Sequence, residues 1–252
     1  MTIDDAAATE LARRRREGRR GPRLDASIRP VTLTEAFALQ HRVAARLGTI
    51  GGWKCAMPSA DRMNAAPIFA STIFRGAHAT VHARSSMAPI EPEIAFVLAH
   101  DLPPRSAPYD GPEVLAAVGD THVVLEILGN RYDDPASVSY PELLADGMNN
   151  EGLIVGPAVE NAQARTIDVF QVLISGLDGF RLERAGRHPD GHPLKPLVWL
   201  ANFLRERGDR LRAGQIVTTG SYAGALDVPL ATPLTVTFGA LGQMHVTLDP
   251  AH

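Results

Sequence analysis

The feature of this sequence that most limits its fold is Ile90-Glu-Pro-Glu-Ile-Ala-Phe-Val-Leu98, in which two glutamates precede an apolar, β-prone stretch. In a β-strand, alternate side chains point to opposite faces. Glu91 and Glu93 would then share one face, while Ile94 and Phe96 point to the other. Two carboxylates about 7 Å apart along a strand and beside a core repel each other and resist ionisation. A hard divalent cation such as Mg2+ or Mn2+, which prefers oxygen ligands, would relieve that repulsion.

A second apolar run supplies a third acid. The segment Thr121-His-Val-Val-Leu-Glu126-Ile-Leu128 resembles a buried strand interrupted by one glutamate. An isolated carboxylate in such a strand is costly to bury, so Glu126 either faces solvent or has a cation as its partner. Closely spaced glutamates are also typical of the solvated edge of a strand. The two runs therefore leave two alternatives, a metal site formed by Glu91, Glu93 and Glu126 or a set of solvated acids.

The bulk composition narrows the class of protein. The 252 residues are 45% hydrophobic and 21% charged, with a net charge of −3, so nothing global indicates a nucleic-acid or membrane partner. No apolar run approaches the roughly 18 residues that a membrane-spanning helix needs. The N-terminus lacks the apolar core of a signal peptide. Cys55 is the only cysteine, which excludes an internal disulfide and suits a reducing compartment, so we predict a cytoplasmic protein.

An arginine-rich segment near the N-terminus departs from this bulk picture. Arg13 to Arg16 form an unbroken run, and Arg19 and Arg20 follow. Such a run is one signal of a nucleic-acid-binding arm. Acidic residues precede it, however, and acids early with arginines late is the charge order that a helix dipole favours. We therefore predict a solvated amphipathic helix that ends near Gly18, and no nucleic-acid partner.

The hydrophobic pattern predicts an α+β protein. Two N-terminal helices are expected, one over about 4–17 and one after the capping box Thr32-x-x-Glu35. From Gly51 onward short apolar runs alternate with turns, which indicates a β-rich body. The predicted organisation is a helical N-terminal region at 1–50 followed by a β-rich domain at 51–252.

Within the body, a hairpin turn is signalled by Leu177-Asp-Gly179 between two apolar runs, and the stretch 57–79 is expected to be irregular. Other strands are predicted near 79–83, 90–99, 121–128 and 152–155. Short helices are predicted at 110–118, 139–146 and 195–207.

Six segments, in order along nearly the whole chain, carry a family resemblance. They are Gly52-Trp-Lys54, the Ile90 to Leu98 run, Val124-Leu-Glu126-Ile, Ala145-Asp146 before Asn149-Asn150, Val217-Thr-Thr-Gly-Ser221, and Val236-Thr-Phe-Gly-Ala-Leu-Gly242. This ordered set resembles the 2-keto-4-pentenoate hydratase and 4-oxalocrotonate decarboxylase group of the fumarylacetoacetate hydrolase superfamily. Each motif is modest alone, and the set is more specific for the superfamily than for the reaction.

The resemblance implies a mixed β-sheet roll of the fumarylacetoacetate hydrolase C-terminal type, with 51–252 as the catalytic domain. It implies Mg2+ or Mn2+ held by Glu91, Glu93 and Glu126, and a small 2-oxo acid substrate from aromatic-compound catabolism that chelates this ion. The implied activity is that of a lyase, the hydration of a 2-hydroxyalka-2,4-dienoate to a 4-hydroxy-2-oxo acid. Alternatives are decarboxylation of a 4-oxalocrotonate-like 2-oxo diacid and a catalytically silent homologue. A homo-oligomer is common in this group and is expected here.

The resemblance also assigns roles to polar residues outside the acidic trio. Lys54 is expected at the pocket wall, where its ammonium pairs with the substrate carboxylate or moves a proton; the alternative is a surface lysine at a strand end. The expected substrate-binding residues are Asp146, Asn149, Asn150, Thr219 and Ser221. The alternative for the first three is an Asn-rich helix end, and the alternative for the last two is an ordinary turn.

One departure from the group concerns the loop after the lysine strand. Related hydratases carry an acidic residue there, whereas this chain reads Pro67-Ile-Phe-Ala-Ser-Thr-Ile-Phe74, with Ser71 or Thr72 near that place. A general acid is therefore missing or is supplied elsewhere. The Glu-His pair that C–C hydrolases of the superfamily use is also not evident in the sequence, which argues against hydrolysis.

Overall fold

The computed structural model describes residues 3–160 and 167–251. Its N-terminal region consists of two packed helices. Helix α1 spans Ile3–Arg16 and helix α2 spans Leu33–Leu47. The predicted capping box is present, because Thr32 accepts from the Glu35 backbone and Glu35 accepts from the Thr32 backbone. The two helices share an apolar cluster with Leu144 of a later helix, so this region is seated on the body.

The arginine run of α1 is less solvated than predicted. Arg14 is only 4% exposed and donates to the carbonyl oxygens of Pro22 and Arg131. Arg15 is half-buried and its Nη2 reaches the backbone carbonyl of Asn150 at 2.7 Å. The helix itself is confirmed, but the expectation of a solvated arginine face is wrong for these two residues. They point inward, where their guanidinium groups donate to backbone carbonyl oxygens.

The strands of the body are β1 (Ile50–Cys55), β2 (Ala65–Phe69), β3 (Ile73–Phe74), β4 (His78–Val81), β5 (Met87–Leu98), β6 (Val118–Leu128), β7 (Asn150–Val159), β8 (Val169–Gly176), β9 (Arg181–Arg187), β10 (Ile216–Thr218), β11 (Leu226–Pro229), β12 (Leu234–Phe238) and β13 (Gln243–Pro250).

These strands form two β-sheets that share one apolar core. The larger sheet has the strand order β2-β1-β10-β5-β6-β7-β3, with β11 paired to the start of β5. The smaller sheet has the order β4-β13-β12-β8-β9. Both sheets are mixed, since β1–β10, β3–β7 and β4–β13 are parallel pairs and the other pairs are antiparallel. This is the predicted α+β class, a helical N-terminal region followed by a mixed sheet roll.

Three further helices and three short turns complete the described part of the chain. The helices are α3 (Gly111–Ala116), α4 (Tyr140–Ala145) and α5 (Leu194–Glu206), and short 3-10 turns lie at 70–72, 135–137 and 239–241.

One prediction about the body is wrong. The stretch 57–79 is not irregular throughout, because β2 and β3 form there and β4 begins there. Strand β2 is fully buried and pairs antiparallel with β1, with Pro67 opposite Trp53. Proline, which lacks an N–H, is tolerated in a strand only where that donor is not needed, and β2 lies at the edge of the sheet. Its proline concealed the strand in the sequence.

None of the helices in the described part of the chain is both long and apolar enough to cross a membrane.

Candidate metal centre

The three predicted acids converge at the centre of the larger sheet. Strands β5 and β6 are antiparallel neighbours, and Glu91 lies directly opposite Glu126. Glu93 follows two residues later on the same face of β5, as the alternation of the strand predicted. One carboxylate oxygen from each residue lies within 4.8 Å of the other two. Glu93 and Glu126 are 2% and 0% exposed and Glu91 is half-buried, so the alternative of solvated acids is not what the structure shows.

This arrangement is electrostatically costly for the protein alone. Burial, followed by the charges of Glu126 and Glu91, raises the pKa of Glu93 to about 8. Burial also raises the pKa of Glu91. Glu126 Oε2 is buried without a hydrogen-bond partner among the described residues, although an uncompensated carboxylate oxygen is expensive to desolvate. Three converging carboxylates and one unsatisfied oxygen are a donor set that fits a divalent cation.

Lys54 is the cation of this site. It lies on β1, and its Nζ is 2.8 Å from Glu126 Oε1 and 3.1 Å from the carbonyl oxygen of Met148. Its side chain is 13% exposed, so the alternative of a surface lysine is excluded. Burial alone would lower the pKa of Lys54, but the three nearby carboxylates outweigh this effect and raise it. The ammonium therefore stays charged and holds one of the two Glu126 oxygens.

A turn of left-handed residues brings the Met148 carbonyl to Lys54. Gly147, Met148 and Asn149 have φ angles of 88°, 54° and 61°. This conformation costs a residue with a side chain about 1–2 kcal/mol, and such strain is commonly concentrated at functional sites. The turn is held in place because the backbone N–H of Gly129 donates to the Asn149 carbonyl at 2.7 Å. Asn149 Oδ1 is buried without a partner among the described residues, so it is available to a ligand.

Asn150 connects the acids to the N-terminal helix. Its Nδ2 donates to Glu126 Oε1 at 2.9 Å, and its Oδ1 accepts from Arg15 Nη2 at 3.2 Å. A guanidinium has only donors, so it fixes the amide with its oxygen toward Arg15 and its NH2 group toward Glu126. Lys54 and Asn150 thus both bind Oε1, and this leaves Glu126 Oε2 as the oxygen without a partner.

Asp146 forms a buried ion pair with Arg131. It is 3% exposed, and its two carboxylate oxygens accept from the side chain of Arg131 at 3.0 and 3.1 Å and from the Arg131 backbone N–H at 2.9 Å. Arg131 also donates to Glu151 and to the Asn150 carbonyl. This buried network thus holds the backbone of Asn150, the residue that follows the left-handed turn.

The loop after β10 contacts the third acid. The backbone N–H of Gly220 donates to Glu93 Oε2 at 2.9 Å. The Thr219 hydroxyl is buried and has no partner among the described residues, whereas the Ser221 hydroxyl bonds the Gly224 carbonyl at 3.2 Å. Thr219 directly precedes Gly220, whose N–H binds Glu93, and Ser221 is engaged within its own turn.

The loop after the lysine strand contributes no acid to the site. Ser71 is exposed, and Thr72 donates to the Phe69 carbonyl within its own 3-10 turn at 3.0 Å. Sequence reasoning missed three groups of the site: Arg15, Arg131 and the Met148 carbonyl. The carbonyl and Arg131 leave no recognisable sequence signal, and the signal of Arg15 was hidden among neighbouring arginines.

The fold is that of the fumarylacetoacetate hydrolase superfamily. Two structures of 4-oxalocrotonate decarboxylase from Pseudomonas putida G7, one complexed with magnesium and adipate and the other with calcium and acetate, match with TM-scores of 0.80 and 0.78. Their sequence identities are 20% and 21%, and the matches cover 97% and 98% of both chains. A yeast fumarylacetoacetate hydrolase family protein matches with a TM-score of 0.51 at 12% identity, over 79% of this chain and 92% of that one.

Curated relatives bear the two names that the sequence indicated. A 4-oxalocrotonate decarboxylase of Pseudomonas putida is 29% identical over 62% of this chain, and a 2-keto-4-pentenoate hydratase of Paraburkholderia xenovorans is 29% identical over 52%. The matched parts span 58% and 48% of these relatives, about half of their length. A 2-keto-4-pentenoate hydratase of Burkholderia vietnamiensis is 24% identical over 97% of this chain and 98% of its own length. No family model matches the chain. The predicted resemblance is thus confirmed, because homologues of this chain are named 4-oxalocrotonate decarboxylase and 2-keto-4-pentenoate hydratase.

Proposed function

We propose that this chain is a Mg2+- or Mn2+-dependent lyase that hydrates a 2-hydroxyalka-2,4-dienoate to a 4-hydroxy-2-oxo acid. The observation that carries the proposal is the convergence of Glu91, Glu93 and Glu126, each with one carboxylate oxygen within 4.8 Å of the other two. In addition, Glu126 Oε2 is buried without a partner among the described residues. These residues would hold the ion, which when bound supplies Lewis-acid stabilisation of negative charge on a 2-oxygen.

The roles of the other residues follow from their free hydrogen-bonding capacity. A lysine ammonium has three donors, and Glu126 and Met148 accept two of those of Lys54. The third donor is left for the substrate, either to pair with its carboxylate or to deliver a proton at C3. Asn149 Oδ1 and the Thr219 hydroxyl, both without partners among the described residues, are the groups best placed to orient the substrate. Asn150 positions Glu126, and Asp146 supports the turn through Arg131.

The overall reaction adds one water molecule. The dienol first becomes the 2-oxo-3-enoate by moving its hydroxyl proton to carbon. The water hydroxyl then bonds C4 while C3 takes a proton, which gives the 4-hydroxy-2-oxo acid. Protonation at C3 is the step in which a charged, nearly buried lysine has an advantage over bulk water, because the proton donor is held in place.

Decarboxylation of a 4-oxalocrotonate-like diacid is the second candidate. It is favoured by the decarboxylases among the relatives, including the two structures that match almost the whole chain. Both reactions need the same stabilised charge on the 2-oxygen, so the acids and Lys54 serve either one. The third alternative is that this chain binds the ion and catalyses neither reaction, as a catalytically silent homologue.

A direct assay separates the three outcomes. The chain is incubated with Mn2+ and 2-hydroxypenta-2,4-dienoate, and in parallel with 4-oxalocrotonate. Formation of 4-hydroxy-2-oxopentanoate supports the hydratase, and release of CO2 from the diacid without hydration supports the decarboxylase. Exchange of the C3 proton without water addition contradicts the hydratase, and metal binding without turnover of either compound indicates a silent homologue.

The proposal extends to the setting of the enzyme. We take 1–50 and 51–252 as the helical region and the catalytic domain, and we expect a cytoplasmic homo-oligomer. Light scattering of the purified chain measures the oligomeric state, and a monomeric mass at micromolar concentration would contradict that part of the proposal.

A further inference from the structure

A threonine hydroxyl close to the acids is buried without a partner. Thr218 is the last residue of the apolar strand β10 and has no exposed surface. Its Oγ1 has no hydrogen-bond partner among the described residues. A buried hydroxyl that is left unbonded costs free energy, and a valine would fill nearly the same volume without that cost. The hydroxyl is therefore a group that a ligand of the site would satisfy.

The register of the larger sheet places this hydroxyl on the face that carries the acids. Thr218 lies directly opposite Lys54 on β1 and directly opposite Ala95 on β5. Residues that are paired across neighbouring strands share a face, and Ala95 follows Glu93 by two residues on β5. Thr218 thus lies beside Lys54 in the row of paired residues that comes directly after the acids.

A cavity of about 530 Å3, within the usual range of small-molecule sites, lies on the opposite side of the acids. It is lined by Pro89, which precedes Glu91 by two residues on β5, and by Leu128, which follows Glu126 by two residues on β6. Both residues lie on the strand face that carries the acids, about 7 Å from them. A substrate whose carbon chain occupies this cavity therefore has its other end, the carboxylate, on the Thr218 side of the acids.

The row that contains Thr218 is chemically suited to a carboxylate. A threonine hydroxyl can donate one hydrogen bond, and such a bond is stronger when the acceptor is charged. Lys54 adds a positive charge to the same row, because the nearby carboxylates raise its pKa despite its burial. Ionised glutamates only accept hydrogen bonds, so the donors for a substrate carboxylate must come from other residues.

We infer that Thr218 is a further substrate-binding residue, whose hydroxyl donates a hydrogen bond to the C1 carboxylate of the 2-oxo acid. The substrate then lies across the acids, with its carboxylate beside Thr218 and Lys54 and its carbon chain in the cavity at Pro89 and Leu128. The inference rests on the proposed function for the placement of the 2-oxo group at the acids.

The test compares two stable probes, 2-oxopentanoate and 2-oxopentanamide, which share the 2-oxo group and the carbon chain and differ in the charge at C1. Calorimetry measures the binding of each probe to the full chain with Mn2+ and with EDTA, and the binding of Mn2+ alone. Thr218→Val removes the hydroxyl and keeps the shape of the side chain, whereas Thr218→Ser keeps the hydroxyl. Melting curves establish that each variant is folded.

The matched control is Thr232→Val. Thr232 is 9% exposed, and its hydroxyl bonds the Leu230 carbonyl at 3.2 Å in the turn that precedes β12 of the smaller sheet. This substitution therefore removes a nearly buried hydroxyl that has a partner outside the larger sheet.

With Mn2+ present, Thr218→Val should bind 2-oxopentanoate about tenfold more weakly than the wild type, the size of one hydrogen bond to a charged group. Its affinity for 2-oxopentanamide should change much less. Thr218→Ser should keep most of the affinity for the acid, and Thr232→Val should match the wild type. The Mn2+ affinity should be the same in all four proteins, because the Thr218 hydroxyl bonds none of the acids.

Three results would overturn the inference: an unchanged affinity of Thr218→Val for the acid, an equal loss for the acid and the amide, or a parallel loss of Mn2+ affinity. A loss that is specific for the acid but equally large in EDTA overturns the proposed metal-dependent function, while the carboxylate contact stands. A wild type that binds neither Mn2+ nor 2-oxopentanoate overturns both.

Discussion

Asn150 donates a 2.9 Å hydrogen bond from its Nδ2 to Glu126 Oε1, and the same oxygen is 2.8 Å from the Lys54 ammonium. These two contacts decide how Glu126 is used, because they consume Oε1 and leave Oε2 buried without a partner in the described part of the chain. The orientation of the amide depends in turn on Arg15, a residue of the first helix. The N-terminal helix thus contributes to the geometry of the acids at the centre of the sheet.

The role of Arg15 can be measured by metal binding. Arg15→Met removes the donor that fixes the Asn150 amide, and we expect Mn2+ affinity to fall about tenfold, as for other residues that orient metal ligands. Arg15→Lys keeps the charge and should recover part of the loss. The control is Arg16→Met, which removes an exposed arginine from the same helix. Equal Mn2+ affinities in Arg15→Met and Arg16→Met would show that Arg15 serves only the packing of the helix.

Lys54 should separate catalysis from metal binding. Lys54→Met removes the group proposed to contact the substrate, and turnover should fall by at least about a hundredfold. Mn2+ affinity should stay the same or increase, because an ammonium next to the acids repels the incoming cation. Lys195→Met, at an exposed lysine that bonds the Asp190 carbonyl, is the matched control. A parallel loss of metal affinity and turnover in Lys54→Met would count against a catalytic role.

The contact between Glu142 of α4 and Arg23 of the N-terminal region should contribute less to stability in acid. Glu142 has no exposed side-chain surface and is bound by Arg23 at 2.6 Å and by the Ser139 hydroxyl at 2.7 Å. Burial alone would raise the pKa of Glu142, but these hydrogen bonds outweigh burial and lower it below the usual 4.5. Its contribution is therefore present above that unfolded-state pKa and is lost as the pH falls through the lower folded-state pKa.

Glu142→Gln should cost about 2 kcal/mol at pH 7, the size of hydrogen bonds to a charged group. The deficit relative to wild type should shrink as the pH falls below 4.5, the usual pKa of the carboxyl. Urea denaturation at pH 7 and at a pH below 4.5 measures this deficit in the free energy of unfolding. Glu206→Gln, at an exposed glutamate, serves as the control. A deficit that is the same at both pH values would show that the Glu142 charge does not contribute.

The sequence allowed the acidic trio to be predicted because strand alternation is a local rule. Two glutamates that are two positions apart in one strand share a face in any register, and one further acid in an apolar strand needs a partner. The choice of Lys54 depended on the resemblance, since its neighbour Cys55 and its strand give no local sign of the acids across the sheet. The prediction of fold class rested likewise on short-range signals, such as the capping box at Thr32.

The features of the site that could not be predicted depend on contacts between segments distant in the sequence. Arg15 and Asn150 are 135 residues apart, and nothing in a helix rich in arginine distinguishes the one that reaches inward. The left-handed conformation at Met148 is imposed by its surroundings, because methionine disfavours it locally. The resemblance assigned Asp146 to substrate binding, and its ion pair with Arg131, in the loop after β6, could not be identified from spacing alone.

The direct test of the central claim is the response of Glu93→Gln to Mn2+. Without metal, this substitution removes one of three mutually repelling carboxylates, while its amide oxygen can still accept from the Gly220 N–H. We therefore expect the variant to melt at a higher temperature than the wild type in EDTA.

In the presence of Mn2+ the wild type should melt at the higher temperature, because the ion stabilises the folded wild type by binding to it and the variant has lost a ligand. Calorimetry should show one Mn2+ per wild-type chain and at least about tenfold weaker binding in Glu93→Gln. Equal Mn2+ affinities, or a wild type whose melting temperature does not respond to Mn2+, would contradict a metal centre at these three acids.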